Sequence, residues 1–321
     1  MKPRAVPQWS DFWQQGFVTT FGPGMPDNYQ GVIADFWDSQ FKHLEDGARI
    51  LDIATGNGAV AILAAKTARK QDKTFAITGC DLATINPQVT ASEEVQALRA
   101  GLRFRSNTAC EKLPFDKGAF EFVSSQFGLE YCKIPQVLGE IRRVLVPGGK
   151  FVAIAHHGDS NLLKAAHSEV QVYRALLKDM NLFGRVRAYF GALGNPLNQE
   201  ELRMAINKAK PLSTSVNEAV ASMKKRYPDS ECARQMLAAI NSLAQGAARV
   251  QSKQRLRTLA MVSEDFEMAG ERLEDMVKAG LDGDAIDRLH ALARTSAFSD
   301  FSCQPFLDDG GNLAGWHIEL S

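Results

Sequence analysis

The chain has 321 residues, of which 45% are hydrophobic and 23% charged, so it can bury a sizeable core in one large or two modest domains. Its 37 basic and 37 acidic residues balance, which disfavours nucleic acid as a partner because no basic excess is present to release phosphate counterions. No apolar run is long enough to cross a bilayer and no signal-peptide pattern opens the chain, so we expect a cytoplasmic protein without a membrane partner.

The first 45 residues combine three of the four tryptophans with a turn-rich stretch at 21–29, FGPGMPDNY. The run Gly-Pro-Gly-Met-Pro cannot form a regular helix or a central strand, because proline lacks the backbone donor and glycine weakens both structures. Residues 31–44, which follow, have apolar side chains spaced for one face of a helix. We therefore predict an irregular aromatic segment followed by a helix.

Residues 49–59, RILDIATGNGA, are the most informative stretch. An apolar run that ends in Asp52 predicts a buried parallel strand, and Gly56 and Gly58 mark a sharp turn. The alanine- and leucine-rich segment that follows predicts a helix. A strand, a glycine turn and a helix N-terminus together form a nucleotide-binding corner, since unpaired helix amides and small residues leave room for a ligand.

Three further motifs stand downstream in order. FAITGCDLA predicts a second strand ending in Asp81, which is placed to accept both hydroxyls of a ribose. Residues 112–131, KLPFDKGAFEFVSSQFGLEY, predict a turn and a third strand. Residues 141–157, IRRVLVPGGKFVAIAHH, predict a helix end, a Pro-Gly-Gly turn and another strand.

With these four motifs the chain resembles the class I S-adenosylmethionine-dependent methyltransferases, and most closely their ubiquinone/menaquinone C-methyltransferase branch. The resemblance covers residues 46–157 and 296–321. Nicotinamide binding uses a similar corner, but its third small residue follows a different spacing and it has no role for the LPF and Pro-Gly-Gly motifs.

The resemblance assigns cofactor contacts to the glycine turn. Asp52 takes the place of the acid near the methionine amino group. Ala54, Gly56 and Gly58 fill the positions of three alternating glycines, and Thr55 lies among them. Since Ala54 adds one methyl group to the turn, we expect the turn to persist with slightly less space.

The remaining cofactor contacts follow the later strands. Asp81 matches the ribose acid, and Leu82 is expected to lie against the adenine. Cys110 and Glu111 stand where this branch has Asp-Ala-Glu, so the adenine contact must come from a backbone amide or from a different side chain. Gln126 matches a residue lining the methionine end.

The resemblance also suggests a role for residues 1–45. A segment ahead of the first strand often folds over the cofactor in related enzymes, so Tyr29 and the neighbouring aromatic residues are predicted to form a lid at the methionine end. Packing of the same aromatic side chains on the sheet is an equally open alternative.

The five cysteines include no Cys-x-x-Cys pair, so we predict neither a metal site nor a disulfide framework. Cys110 lies in the predicted adenine region. Its alternative role as a small buried hydrophobe is the more common one for a free cysteine.

Residues 158–295 form an insertion with almost no strand pattern. Helix caps and apolar spacing predict five helices, at 162–182, 199–209, 216–227, 230–257 and 284–295. An insertion after a strand lies at the carboxyl edge of the sheet, where substrates bind, so we predict a helical cap over a substrate pocket. A homodimer through this insertion is the second possibility.

The last residues contain two alternating apolar runs around Asp308-Asp309-Gly310-Gly311, which predicts a hairpin. The resemblance makes these the last two strands of an α/β, doubly wound, seven-stranded sheet of order 3-2-1-4-5-7-6, with the last strand antiparallel.

Methyl transfer requires placement first, and a base only if the acceptor loses a proton. His156 and His157 end a central strand, and Glu130 with Tyr131 follows the previous one. Because adjacent strand residues face opposite ways, at most one of the two histidines should face the substrate.

These observations predict an enzyme that transfers a methyl group from S-adenosylmethionine to a small organic acceptor. Oxygen is the expected acceptor atom, with nitrogen and carbon as close rivals. A regulatory protein that binds the cofactor without transferring the methyl group is the alternative.

Overall fold

A seven-stranded mixed sheet forms the centre of the fold, in a computed structural model that describes residues 6–25, 27–86, 92–247 and 250–321. The strand order is β3-β2-β1-β4-β5-β7-β6, and β7 runs antiparallel to both of its neighbours. The predicted fold class is therefore confirmed. The strands are Arg49–Ile53 (β1), Ala76–Cys80 (β2), Arg103–Arg105 (β3), Phe120–Gln126 (β4), Leu145–His156 (β5), Phe301–Leu307 (β6) and Leu313–Leu320 (β7).

Eleven helices are found in the described part of the chain. Those near the sheet are Pro7–Gln14 (α1), Gly31–Phe41 (α2), Ala59–Lys70 (α3), Glu93–Arg99 (α4), Ile134–Val144 (α5) and Gly283–Thr295 (α11). The others, from the insertion, are Asn161–Arg174 (α6), Leu182–Ala192 (α7), Gln199–Arg226 (α8), Glu231–Gly246 (α9) and Ser252–Ala279 (α10).

Both faces of the sheet are covered, which explains why its central strands are apolar almost throughout. Ile50 of β1 packs with α2, α3 and α4, whereas Leu51, the next residue, packs with α5 and α11 on the opposite face. This alternation follows from the two-residue repeat of a strand. Because β1, β2, β4 and β5 run parallel, their carboxyl ends meet at one edge, where doubly wound sheets bind ligands.

The Pro-Gly-Gly motif was predicted as a turn between a helix end and a strand, but it lies inside β5. The pairing of β4 with β5 shifts between Phe120, which pairs with Leu145, and Phe122, which pairs with Lys150. Gly148 has φ +78°, a conformation that strongly favours glycine. The extra residues of β5 are thus accommodated as an irregularity, and the strand continues to His156.

The chain divides into two compact units, one made of Met1–Lys164 and Met276–Ser321 and the other of Ala165–Asp275. The unit boundaries fall inside α6 and α10. The helix α11 belongs to the unit that contains the sheet. The predicted roles of the insertion, as a substrate cap and as a dimer surface, stay predictions.

The helices of the insertion differ from their predicted bounds. Residues 199–209 and 216–227 were expected as two helices, but α8 continues through Pro211, because its packed positions Ala209, Ala219 and Met223 stay on one buried face. The stretch predicted as one helix at 230–257 forms α9 and the first part of α10. Its residues 248–249 lie outside the described residues. The later part of α10 was not predicted. No helix among the described residues is both long and apolar enough to span a membrane.

Candidate functional site

The turn between β1 and α3 adopts the conformation that its glycines predict. Ala54, Gly56 and Gly58 have φ values of +51°, +53° and +92°. A Cβ atom on Gly56 would lie 2.4 Å from the Trp13 ring, and one on Gly58 would lie 2.5 Å from the Phe104 ring. Glycine is therefore needed at both positions for its backbone angles and for space.

Asp52, at the end of β1, is buried with its carboxylate held on both sides. Its Oδ2 accepts a hydrogen bond from the Thr55 hydroxyl at 2.5 Å, and its Oδ1 accepts one from the Ser124 hydroxyl at 2.8 Å. Burial raises the pKa of Asp52 to about 7, although the two hydroxyls lower it in part. A cationic ligand beside this carboxylate would favour its ionised form.

Asp81 follows β2 and connects the neighbouring strands through the turn. Its Oδ2 accepts the Gly56 backbone N–H at 2.8 Å, and its Oδ1 accepts the Ala83 backbone N–H at 2.8 Å. Burial raises the pKa of Asp81 to about 6. Because a carboxylate offers about four lone-pair sites, Asp81 retains capacity to accept ligand hydroxyls.

The methyl group of Ala54 is accommodated by a glycine on another loop. A Cβ atom on Gly128 would lie 2.4 Å from the Ala54 Cβ. Gly128 itself has φ −140°, so its backbone does not require glycine. The lack of a side chain at 128 thus provides the space that alanine needs at 54.

The N-terminal segment is anchored to the same turn by Asn57, a fully buried residue that the sequence analysis did not single out. The Asn57 side-chain amide donates to the carbonyl oxygens of Trp13 and Phe17 at 2.9 and 2.8 Å. Its Oδ1 accepts the Asn86 backbone N–H at 2.9 Å. The sequence signal for this role is the position of Asn57 between Gly56 and Gly58. A side chain at that position must point away from the side of the turn that the two glycines leave open.

Tyr29 is buried on the N-terminal segment. Its ring meets Phe21 edge to face at 6.1 Å, and its hydroxyl is hydrogen bonded to Thr20. Burial raises its pKa to about 12, and the nearby carboxylate of Asp52 adds to this shift. Tyr29 therefore lies near the predicted methionine end as a neutral phenol.

Gln126 ends β4 and is positioned by Trp37 of α2, whose indole N–H donates to its Oε1 at 2.6 Å. This contact was not predicted, because α2 and β4 are far apart in sequence. Among the described residues, the Gln126 Nε2, the Ser125 Oγ and the Glu130 Oε2 are buried without a hydrogen-bond partner. Buried polar atoms usually have partners, so three orphaned atoms in one short stretch indicate a ligand site.

Glu130 and His156 form a buried pair at the end of β4 and β5. The Glu130 Oε1 lies 2.7 Å from the His156 backbone N and 2.6 Å from its Nδ1. Phe127 stacks on the imidazole at 4.3 Å with an interplanar angle of 22°, and the Tyr131 ring meets it edge to face at 6.0 Å. The histidine ring is therefore fixed by a carboxylate on one edge and by an aromatic ring on one face.

His157 faces away from this pair. Its ring stacks on Trp316 at 4.2 Å, and its Nδ1 accepts the Asp159 backbone N–H at 3.0 Å. Burial lowers the pKa of His157. The two histidines lie on opposite faces, as the alternation of a strand predicts.

The side chains at the predicted adenine region are placed differently from what the resemblance implies. The Glu111 carboxylate accepts a hydrogen bond from the Lys133 backbone N–H at 2.9 Å. Leu82 is half-buried. Cys110 is buried and hydrogen bonded to the Ala54 backbone amide. Cys110 thus contacts the turn directly, whereas Glu111 is occupied elsewhere.

Residues 50–149 match a methyltransferase domain family. Over these residues the chain is similar to methyltransferases. It is 29% identical over 155 residues to a ubiquinone/menaquinone biosynthesis C-methyltransferase of Rickettsia felis, covering 44% of this chain and 61% of that one. It is 36% identical over 108 residues to a demethylmenaquinone methyltransferase of Thermus thermophilus, covering 33% and 46%.

The chain thus spans about half the length of these relatives. Among solved structures, it is similar to a geranyl diphosphate C-methyltransferase of Streptomyces coelicolor, with a TM-score of 0.35, 18% identity, and coverage of 47% of this chain and 64% of that one. The resemblance drawn from the four motifs is confirmed for this methyltransferase domain.

The packing of Ala54 against Gly128 predicts a coupled pair of substitutions. Gly128→Ala should destabilise the fold by about 1–3 kcal/mol, because the new methyl group overlaps that of Ala54. Ala54→Gly in the same chain should recover most of this loss. Urea unfolding of the two single variants and the double variant measures the coupling. Gly139→Ala, where no atom lies within 4 Å of the added Cβ, is the control. Additive effects would contradict the packing.

The burial of Asp52 predicts how stability depends on pH. Since its folded pKa is raised from 3.8 to about 7, ionising it costs stability, and this cost grows as the pH rises from the unfolded to the folded value. Asp52→Asn should therefore lose less free energy of unfolding between pH 4 and pH 8 than the wild type, by about 2–4 kcal/mol. Urea unfolding across that range measures it, with the exposed Asp35→Asn as control. Parallel profiles would contradict the assigned burial.

Proposed function

We propose that the protein transfers a methyl group from S-adenosylmethionine to a small organic acceptor. The observation that carries the proposal is the pair of buried carboxylates, Asp52 and Asp81, at the ends of adjacent strands with the glycine turn between them. One carboxylate suits a cationic amino group, and the other suits vicinal hydroxyls. The names of the relatives, which are methyltransferases, also support this assignment.

The residues at the sheet edge fit such a cofactor. Asp52 would face its amino group, Asp81 would accept its ribose hydroxyls, and Gly56 and Gly58 would let it approach the backbone. The orphaned Nε2 of Gln126 offers a donor for its carboxylate. When bound, the cofactor supplies a methyl group on a sulfonium, which an electron-rich atom can displace.

The role of the N-terminal segment follows from its contacts. Trp13 lies on the glycine turn and Asn57 fixes the segment through two carbonyl oxygens. We propose that this segment excludes water from the reacting centre and adjusts its position when the cofactor enters. Closure of this kind favours transfer, because a dry site strengthens the interactions that position both reactants.

His156 is the proposed base, with Glu130 as the residue that positions it. An ionised carboxylate can only accept, so the contact of Glu130 with Nδ1 places the proton on that nitrogen. The other nitrogen, Nε2, then carries a lone pair and can remove a proton from an acceptor hydroxyl. This arrangement of carboxylate and imidazole is one that orients a general base.

The base suggests the nature of the acceptor atom. Removing a proton from a phenol or an enol makes its oxygen nucleophilic, and also activates the carbon conjugated with it. The relatives are named as C-methyltransferases of quinone biosynthesis or as a demethylmenaquinone methyltransferase. We therefore propose a hydroxylated aromatic or enolic acceptor that is methylated at oxygen or at the adjacent carbon, and a nitrogen acceptor is less favoured.

The alternative, cofactor binding without transfer, has less support. It would leave the buried Glu130 and His156 pair without a purpose, and burying a carboxylate and an imidazole is costly. Formation of S-adenosylhomocysteine in the presence of a panel of phenols, quinols and enols distinguishes the two functions.

Asp81 should contribute strongly to cofactor affinity. We expect Asp81→Ala to weaken binding of S-adenosylhomocysteine by about 1–3 kcal/mol, as for the loss of hydrogen bonds to a charged group. Asp81→Asn, which keeps one accepting oxygen, should lose less. Isothermal titration measures both, with Asp35→Ala, on an exposed face of α2, as the matched control. Unchanged affinity in Asp81→Ala would refute the ribose contact.

The two histidines should respond unequally to substitution. His156→Asn should lower turnover by on the order of 10²-fold, because the base is lost, while affinity for S-adenosylhomocysteine is kept. His157→Asn should be nearly silent, since asparagine can still accept the Asp159 backbone N–H. Turnover with the best acceptor of the panel measures both. If both variants keep the wild-type turnover, neither histidine is the base, and catalysis rests on the placement of the two reactants.

A further inference from the structure

The indole of Trp37 determines which end of the Gln126 side-chain amide faces away from α2. Its N–H donates to the Gln126 Oε1 at 2.6 Å. An indole nitrogen can only donate a hydrogen bond, whereas a side-chain amide has one accepting and one donating end. The oxygen of Gln126 is therefore held at Trp37, and the Nε2 group, with its two N–H donors, points away from the indole.

Trp37 is itself held in place by the core around α2. Its side chain is fully buried, and its ring stacks on Phe41 at 5.6 Å with an interplanar angle of 18°. The start of α2 is fixed as well, because Asp309, in the hairpin between β6 and β7, accepts the Val32 backbone N–H at 2.8 Å. The amide of Gln126 is thus oriented by a ring that the surrounding packing keeps in one position.

The Nε2 group of Gln126 has no acceptor among the described residues, although it is buried. The side chain as a whole is only 9% exposed. A buried donor without a partner costs free energy. Turning the amide over would not remove this cost, since it would place Nε2 against the indole N–H, donor against donor. The two free donors therefore need an accepting atom that the described residues do not supply.

Asp52 lies on the same face of the sheet as Gln126, one strand away. It pairs in register with Ser124 and accepts the Ser124 hydroxyl at 2.8 Å. Gln126 is two residues after Ser124, so its side chain leaves β4 on that face. Strand spacing and rise place the Cα atoms of Asp52 and Gln126 about 8 Å apart. A carboxylate and a pair of N–H donors therefore stand side by side at the carboxyl edge of the sheet.

We propose that Trp37 is a positioning residue that makes this site selective for the carboxylate of an α-amino acid group. The inference rests on the proposed function, in which that group is the amino acid end of the cofactor. Asp52 faces its ammonium, and the Gln126 Nε2 donates to its carboxylate, because the indole holds the Gln126 oxygen on the other side. Without the indole N–H, the amide is free to present its oxygen, which repels a carboxylate.

The arrangement predicts selectivity between ligands with and without a carboxylate. Asp52 can bind an amine whether or not a carboxylate accompanies it, so this contribution does not depend on Trp37. The donors of Gln126 contribute only when the ligand offers an accepting oxygen. S-adenosylhomocysteine and its decarboxylated analogue, which keeps the amine, therefore separate the two contributions.

Isothermal titration of the full chain with these two ligands tests the proposal. Trp37→Phe keeps an aromatic ring in the core but removes the donor. We expect it to bind S-adenosylhomocysteine about tenfold more weakly, and the decarboxylated analogue within about twofold of the wild type. Gln126→Glu replaces the donors by an anionic oxygen. It should weaken S-adenosylhomocysteine by about 100-fold, while the decarboxylated analogue binds at least as tightly as before.

Trp316→Phe is the matched control. Trp316 lies on β7, two strands from β4, and its indole N–H donates to the Leu281 carbonyl oxygen at 2.9 Å. This variant loses a comparable hydrogen bond away from Gln126, so it should keep the wild-type ratio of the two affinities. If Trp37→Phe does not fold, the side-chain amide resonances of Gln126 in the wild type decide instead. They should shift strongly with S-adenosylhomocysteine and little with the decarboxylated analogue.

A wild-type affinity ratio in folded Trp37→Phe or in Gln126→Glu would overturn the proposal, whether the two affinities are unchanged or fall equally. Amide resonances that respond equally to both ligands would do the same. A wild type that binds neither ligand would overturn the proposed function, and this inference with it. Binding of S-adenosylhomocysteine by the wild type together with unselective variants would overturn the inference alone.

Discussion

The hydrogen bond from the Gly56 backbone to the Asp81 carboxylate is the interaction on which the site depends. It joins the turn after β1 to the residue after β2, so two strand ends and one helix start hold each other in place. The interaction is made in the interior, where an unpaired carboxylate would be costly, so the acid and the amide need each other. Asp52, Ala54 and the Cys110 thiol all take their positions relative to this turn.

A second constraint acts on the other side of the turn. The N-terminal segment packs Trp13 against Ala83 and Ile85. It is also fixed through Asn57 and through the contact of Trp13 with Gly56. Such anchoring by hydrogen bonds to backbone carbonyls specifies position closely but contributes only a modest net free energy. Apolar packing and these hydrogen bonds together hold the segment on the glycine turn.

Local patterns predicted the parts of the fold whose signals are local. The strand at 49–53, the hairpin around Asp308 and the caps of α8 and α9 follow from residues close in sequence, and these were predicted correctly. The short β3 was not found, because three edge residues carry no periodicity. Two helices were predicted at 199–209 and 216–227, but packing along the buried face of α8 overcomes the loss of one backbone hydrogen bond at Pro211.

The residues of the site also divide into those with a local sequence signal and those without one. Asp52, Asp81 and the glycines could be predicted because they lie within one motif or at a fixed distance from it. The contacts of Trp37 with Gln126 and of Gly128 with Ala54 join segments distant in sequence. No pattern within a single segment encodes such contacts, so only the three-dimensional arrangement shows them.

The order of strands has a consequence for how the chain is made. The strand β5 is central, yet its partner β7 comes after the whole of Ala165–Asp275 and α11. During synthesis β5 therefore emerges with one unpaired edge, and it stays so until the ribosome has also released the insertion, α11 and β7. An exposed apolar strand edge can pair with other chains, and a sheet that is completed late is open to such aggregation. The insertion has its own hydrophobic core, so it can fold while that edge waits. Cellular yield should accordingly depend on chaperones that shield nascent chains, and a ribosome that stalls before β7 would release a species prone to aggregate.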